Sequence, residues 1–150
     1  MKKMKPKLLD KELLMDTLGT IPEASAYIGG WTAANHWGLL DDFTIYTFVF
    51  STEKPTNVDL VENRIEVALA KPHMFYGITQ VDGAPMSDIH KTLIDAFIYP
   101  NFFGGEDVLD EMVENYFLHP DNDIEILKVY SLKAKNAVLA KKISILVDHK

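Results

Sequence analysis

The sequence predicts an α+β domain: a small, mostly antiparallel sheet packed with several helices, with a helical C-terminal half. Three observations lead there. A chain of 150 residues, 47% hydrophobic and 25% charged, has the composition of one globular domain. At this size it buries roughly 70% of its unfolded surface, enough for a core without metal or disulfide staples. The stretches between residues 44 and 81 are aromatic and β-branched or alternate with a period of two, whereas the apolar residues after Pro85 recur at helical spacing. No internal repeat, low-complexity tract or linker divides the chain, so residues 1–150 are expected to form a single domain.

Each element has its own signal. Met1 to Lys7 is lysine-rich, contains Pro6 and is expected to be flexible. Leu8, Leu9, Leu13 and Met15 predict a short amphipathic helix ending near Gly19, and Pro22 a turn. Tyr27-Ile28 runs into Gly29-Gly30, after which Trp31 to Trp37 predicts a short helix closed by Gly38. Thr44 to Ser51 reads as a strand, Arg64 to Leu69 as a half-buried strand, and Phe75 to Val81 as a third. Asp82-Gly83 is a hairpin turn.

After Pro85, Ser87 is the expected N-cap of a helix. Its stripe Ile89, Leu93, Ile94, Phe97 and Ile98 is expected to face the core, opposite a solvated face of Asp88, Lys91, Thr92 and Asp95. Pro100 ends it. Gly104-Gly105 precedes an acidic helix through Phe117, with Val108, Leu109, Met112, Val113 and Tyr116 inward, and His119-Pro120 breaks it. From Asp123 onward the pattern fits one bent helix or two, with Leu139, Ala140, Ile143, Leu146 and Val147 as the buried side.

Charge and composition exclude several function classes. With no cysteine, the chain has no disulfide scaffold, thiolate zinc site, iron–sulfur cluster or cysteine nucleophile, which fits a reducing cytoplasm. No apolar run approaches the roughly 20 residues of a membrane span, and Leu8-Leu9 is too short for a signal-peptide core. The formal charge is −7, from 22 acids against 15 bases, which as an average argues against nucleic acid. The distribution is uneven, however. Residues 1–11 hold five lysines and one aspartate, residues 82–125 hold eleven acids against Lys91 alone, and residues 126–150 hold six lysines against Asp148. Basic ends around an acidic middle suggest interaction surfaces.

Catalytic and metal-binding patterns are missing. The histidines His36, His73, His90, His119 and His149 form no i, i+4 zinc pair and no H-E-x-x-H. His36, beside Trp37, is expected to be a hydrogen-bonded histidine packed by tryptophans rather than an acid or base. Asp121, Asp123 and Glu125 begin like a calcium loop, but Ile126 stands where such a loop needs glycine and Leu132 where it needs its bidentate acid. No G-x-S-x-G or P-loop occurs, and Pro120-Asp121 with Glu125 and Lys128 is one residue too long for the nuclease pattern. No enzyme, metal or cofactor is expected. The positive feature is a lysine row: Lys128, Lys135 and Lys142 are spaced by seven, with Lys141 beside them. On a continuous helix they would line one face able to meet a phosphate backbone or an acidic partner, including a second copy.

Two blocks carry a family resemblance. Tyr27-Ile28-Gly29-Gly30-Trp31-Thr32-Ala33-Ala34, followed by Trp37-Gly38-Leu39, resembles the Y-I-G-G-W-T-A-A-x-x-x-G-L signature of AbiEi-type antitoxins of type IV toxin–antitoxin systems. Ser87-Asp88 and Lys91-Thr92-Leu93-Ile94-Asp95-Ala96, then Pro100 and Gly104-Gly105, resemble the same family's second block. Ala140-Lys141-Lys142-Ile143 is a weaker third match, and the likeness spans roughly residues 20 to 148. The resemblance implies a non-enzymatic, cytoplasmic regulator in abortive infection (phage defence). Such a protein counteracts a nucleotidyltransferase toxin and contributes to transcriptional autoregulation, generally without a tight toxin complex. Family members join this C-terminal domain to an N-terminal winged helix. The residues before Tyr27 are too few for one, so the expectation is the C-terminal domain alone, a DNA contact at most through Lys128, Lys135, Lys141 and Lys142, and a possible homo-oligomer. The signature residues Tyr27, Gly29, Gly30, Trp31, Trp37, Gly38, Ser87, Lys91 and Asp95 are expected to hold the fold. The alternative is a stand-alone protein-interaction module with no role toward DNA or toxin.

Overall fold

The computed structural model describes residues 26–53 and 64–148. The expected flexible lead-in, the helix over Leu8 to Met15 and the turn at Pro22 lie outside the described residues. The fold is α+β with a helical C-terminal half. Among the described residues there are five strands, β1 (Ala26–Ile28), β2 (Thr47–Ser51), β3 (Ile65–Leu69), β4 (Ile78–Val81) and β5 (Ala84–Ser87). They form a sheet of order β3-β2-β1-β5-β4. The sheet is mixed: β1 pairs β2 and β4 pairs β5 antiparallel, whereas β2 pairs β3 and β1 pairs β5 parallel.

The aromatic run supplies β2, which begins at Thr47 rather than Thr44 because Thr44 to Tyr46 bends around the Thr44 hydroxyl, an acceptor for the Tyr46 amide at 3.1 Å. The Asp82-Gly83 turn joins β4 to β5 as expected. Both residues have positive φ, 51° and 82°, and Val81 pairs with Ala84, the geometry that twists with the strands it connects. Two strands were not legible beforehand. β1 has three residues, too few to show a period, and β5 carries Pro85, which lacks the donor a strand normally uses.

At the three central strands both sheet faces are buried. Tyr27 and its register partner Phe50 lie on one face, their rings stacked at 5.2 Å, against the helices. Ile28, Val49 and Met86 lie on the other, with Ala33 of the first helix.

The helices are α1 (Gly30–Trp37), α2 (Ile89–Ile98), α3 (Leu109–Leu118), α4 (Ile124–Lys133) and α5 (Ala137–Asp148). Gly38 ends α1 in the left-handed conformation, its amide reaching the Ala34 and Asn35 carbonyls. Helix α2 is central and touches α1, α3, α4 and β5. Its N-cap is Asp88, not Ser87: the Asp88 carboxylate accepts from the Lys91 amide at 2.8 Å, while Ser87 is spent as the last residue of β5.

Two readings of the helical half change. The supposed solvated face of α2 is interior, with Lys91, Thr92 and Asp95 all at 0% exposure. Helices α1, α3 and α4 and strand β5 all pack on α2, and between them they enclose these three polar side chains. In α3 the expected core side holds, with Met112 and Tyr116 fully buried and Val108, Leu109 and Val113 packed against them. The C-terminal stretch is two helices. Lys135 takes φ +53° between them, and Asn136 caps α5 by accepting the Leu139 amide at 3.0 Å. This break removes the continuous helix that the Lys128–Lys135–Lys142 row requires.

Candidate functional site

The polar residues of the two signature blocks meet inside the molecule. Lys91 and Asp95, one turn apart on α2, form a buried ion pair. Tyr27, arriving from β1, closes it: its hydroxyl donates to Asp95 Oδ2 at 2.7 Å and accepts from Lys91 Nζ at 3.0 Å. The ammonium also lies 5.1 Å from the Tyr27 ring centre and 5.0 Å from that of Tyr76, where the aromatic faces offer negative charge. Both carboxylate oxygens and the phenol are therefore satisfied within the cluster.

Burial governs its electrostatics. Removal from water raises the Asp95 carboxyl above its ordinary range, against the lowering pull of Lys91 and of the Tyr27 hydrogen bond. Burial, reinforced by the charge of Asp95, pushes the Tyr27 hydroxyl well above its ordinary 10. Tyr27 stays a neutral phenol near neutral pH, and all three side chains are sealed from solvent. Bonded to one another across the two elements, they position β1 against α2.

A second ring of contacts supports the first. Asp88 Oδ2 accepts the Tyr130 hydroxyl at 2.7 Å, and the Tyr76 hydroxyl donates to the Tyr130 carbonyl at 2.6 Å, fastening α4 over the start of α2. Gly77 is required here. With φ +64°, a Cβ on it would stand 2.7 Å from the Tyr130 ring and 2.9 Å from Lys91 Cβ. Ser87 and Thr92 share a hydroxyl contact at 2.8 Å, and Trp37 Nε1 donates to the Ser87 carbonyl at 2.8 Å. The first block is thus hydrogen-bonded to the second through Tyr27 and through Trp37. Neighbouring Gly30 has φ +57°, and a Cβ on it would stand 2.8 Å from the Phe102 carbonyl oxygen. A Cβ on Gly29 would stand 2.7 Å from the Phe50 ring. Trp31 and Trp37 are half-buried against the core rather than fully interior, and Trp31 Nε1 donates to the Asp42 carbonyl at 2.6 Å.

His36 is half-buried with its ring edge-on to Trp37 at 4.6 Å, in keeping with a packed histidine. His90 joins three helices: its Nδ1 lies 2.7 Å from the Tyr116 hydroxyl, which also accepts the Asp123 amide at 2.9 Å. Asp123 itself caps α4, its carboxylate accepting the Glu125 and Ile126 amides. Among the described residues no three His, Asp or Glu side chains group closely enough to hold a metal ion.

The lysines lie apart from this cluster. Lys128, Lys135, Lys141 and Lys142 are all exposed. Lys128 sits 3.7 Å from Glu125, Lys135 stands in the interhelical turn, and Lys141 and Lys142 are adjacent on α5. Large apolar side chains are exposed beside them: Val129 and Leu132 on α4, Val138 and Ile145 on α5. Sequence reasoning missed Tyr76, Gly77, Tyr116 and Tyr130 as parts of the polar network, because nothing at their positions marks which distant helix they reach. No described helix is long and apolar enough to cross a membrane. No protein-family model matches the chain, and no curated protein is significantly similar to it.

Proposed function

We propose that the chain is a non-enzymatic regulatory domain of the AbiEi antitoxin type, acting in the cytoplasm by binding. In this reading it counteracts a nucleotidyltransferase toxin and contributes to repression of its own operon. One observation carries the reading: the residues that make up the two resembling blocks are joined in space. Tyr27 bonds to Lys91 and Asp95, and Trp37 bonds to the Ser87 carbonyl. Two blocks lying about 60 residues apart in sequence are thus parts of one structural unit, which favours a shared domain over a chance match of short motifs. The cluster that joins the blocks is itself buried, a joint of the fold and not a surface for a partner.

The division of the C-terminal helices narrows where DNA could be met. A phosphate contact would rest on the adjacent pair Lys141 and Lys142, not on a ridge running from Lys128. Co-expression with a genomically neighbouring nucleotidyltransferase-like protein tests the main reading. The expected result is relief of growth arrest by the soluble wild type, with relief lost in a variant that unfolds the Tyr27 cluster. Persistent arrest with soluble, folded protein present would overturn it. A second reading, a stand-alone interaction module, is favoured by the apolar side chains exposed among the lysines of α4 and α5.

A further inference from the structure

Two exposed helix faces on opposite sides of the charge balance carry complementary patterns. On α5, Val138, Lys141, Lys142 and Ile145 share one stripe at spacings of three, four and seven residues. Val138 is 66% and Ile145 51% exposed, and among the described residues neither lysine has an ion-pair partner. A stripe with apolar ends and a cationic middle is poorly suited to a phosphate backbone, which offers nothing to cover valine and isoleucine. It suits a helix with an acidic face and an apolar side chain.

Such a helix is present in the chain itself. On α3, Asp110, Glu111, Glu114 and Leu118 share one exposed stripe, and Leu118 is 75% exposed. The spacings agree. Leu118 stands four residues from Glu114, as Ile145 stands four from Lys141, about 6 Å along either helix axis. Setting Leu118 on Ile145 therefore sets Glu114 on Lys141. With the helices parallel, Asp110 and Glu111 fall opposite Ala137 and Val138, on the side of Lys135, whereas the antiparallel alignment of Leu118 on Val138 sets Asp110 opposite Leu146, on the side of Asp148. Like charges disfavour the second arrangement.

We propose that the α5 stripe of one copy docks the acidic α3 stripe of a second copy, with Leu118 against Ile145 and Glu114 against Lys141. The contact does not depend on the antitoxin reading, but it uses the same Lys141 and Lys142 that a phosphate contact would use and so competes with DNA for that stripe. Sedimentation of the full chain is expected to show self-association at low salt that weakens at least about tenfold at high salt, because the pairs are at the surface. Neither D110K/E114K nor K141E/K142E should self-associate, since each sets like charge at the Glu114–Lys141 contact. Mixing the two should restore association, the basic α3 of one meeting the acidic α5 of the other. Leu118→Ser should weaken association of the otherwise wild-type chain with its thermal melt unchanged. The proposal is overturned by a wild type that stays monomeric at low salt, by association that survives either double variant, or by failure of the mixed, folded variants to associate. DNA binding by a monomeric wild type, lost in K141E/K142E, would assign the stripe to phosphate instead.

Discussion

At the scale of single residues, the interior of the molecule is decided by three side chains that the sequence presents as ordinary. Lys91 and Asp95 stand at a spacing that usually marks a solvated surface pair, yet both are fully buried with Tyr27. A buried pair gains strong attraction but loses hydration, so its net contribution is small, while breaking it leaves an uncompensated charge. Lys91→Met or Asp95→Leu alone is therefore expected to destabilise the fold by roughly 3–5 kcal/mol. The double substitution should recover much of that loss, and Tyr27→Phe should cost only about 1–3 kcal/mol. Urea unfolding of the four variants checks this through the sign and size of the Lys91–Asp95 coupling. A double variant no better than the worse single one would show that the cluster is not a self-balanced unit. The pair itself was legible as a spacing. Its burial was not, because no local pattern tells that α2 is surrounded by α1, α3, α4 and β5.

At the scale of elements, what could be read from the chain depended on length and punctuation. The helix from Ile89, ten residues with a clear apolar period, was legible, and the aromatic and β-branched run ending at Ser51 was legible as a strand though not its start at Thr47. So was the hairpin at Asp82-Gly83, whose residues suit the positive φ that both adopt. The three-residue β1 and the proline-bearing β5 carry no periodic signal and are strands only because the sheet completes them. The lysine row failed for a related reason: spacing by seven survives a helix break in sequence but not in space. The break sits at Lys135, whose amide reaches the Leu132 carbonyl at 3.2 Å from the left-handed region. A side chain is disfavoured there and glycine is not. Lys135→Gly is expected to stabilise the protein by about 1 kcal/mol in thermal or denaturant unfolding. A loss of stability would mean that the lysine side chain has a structural role that exposure hides.

At the scale of the whole molecule, the helical half is tied together where α2, α3 and the start of α4 converge on His90. Its Nδ1 meets the Tyr116 hydroxyl, which in turn holds the Asp123 backbone at the head of α4. Burial lowers the His90 pKa below its ordinary 6.5; Asp88, Asp123 and Asp121 pull it up and His119 pushes it down, but burial wins. The same enclosure pushes the Tyr116 hydroxyl up to about 12, so the phenol stays protonated throughout. A histidine whose folded pKa is depressed binds its proton more readily in the unfolded chain. The stability it contributes is thus fully present above 6.5 and is lost as pH falls through the lower folded value. The melting temperature should accordingly fall between about pH 7.5 and 5.5, and His90→Gln should flatten that part of the profile while leaving the neutral-pH fold intact. Imidazole NMR titration of the wild type supplies an independent reading and should place His90 below 6.5. A value above it would show that the three neighbouring aspartates outweigh burial, reversing the slope and making this junction tighter, not looser, on acidification.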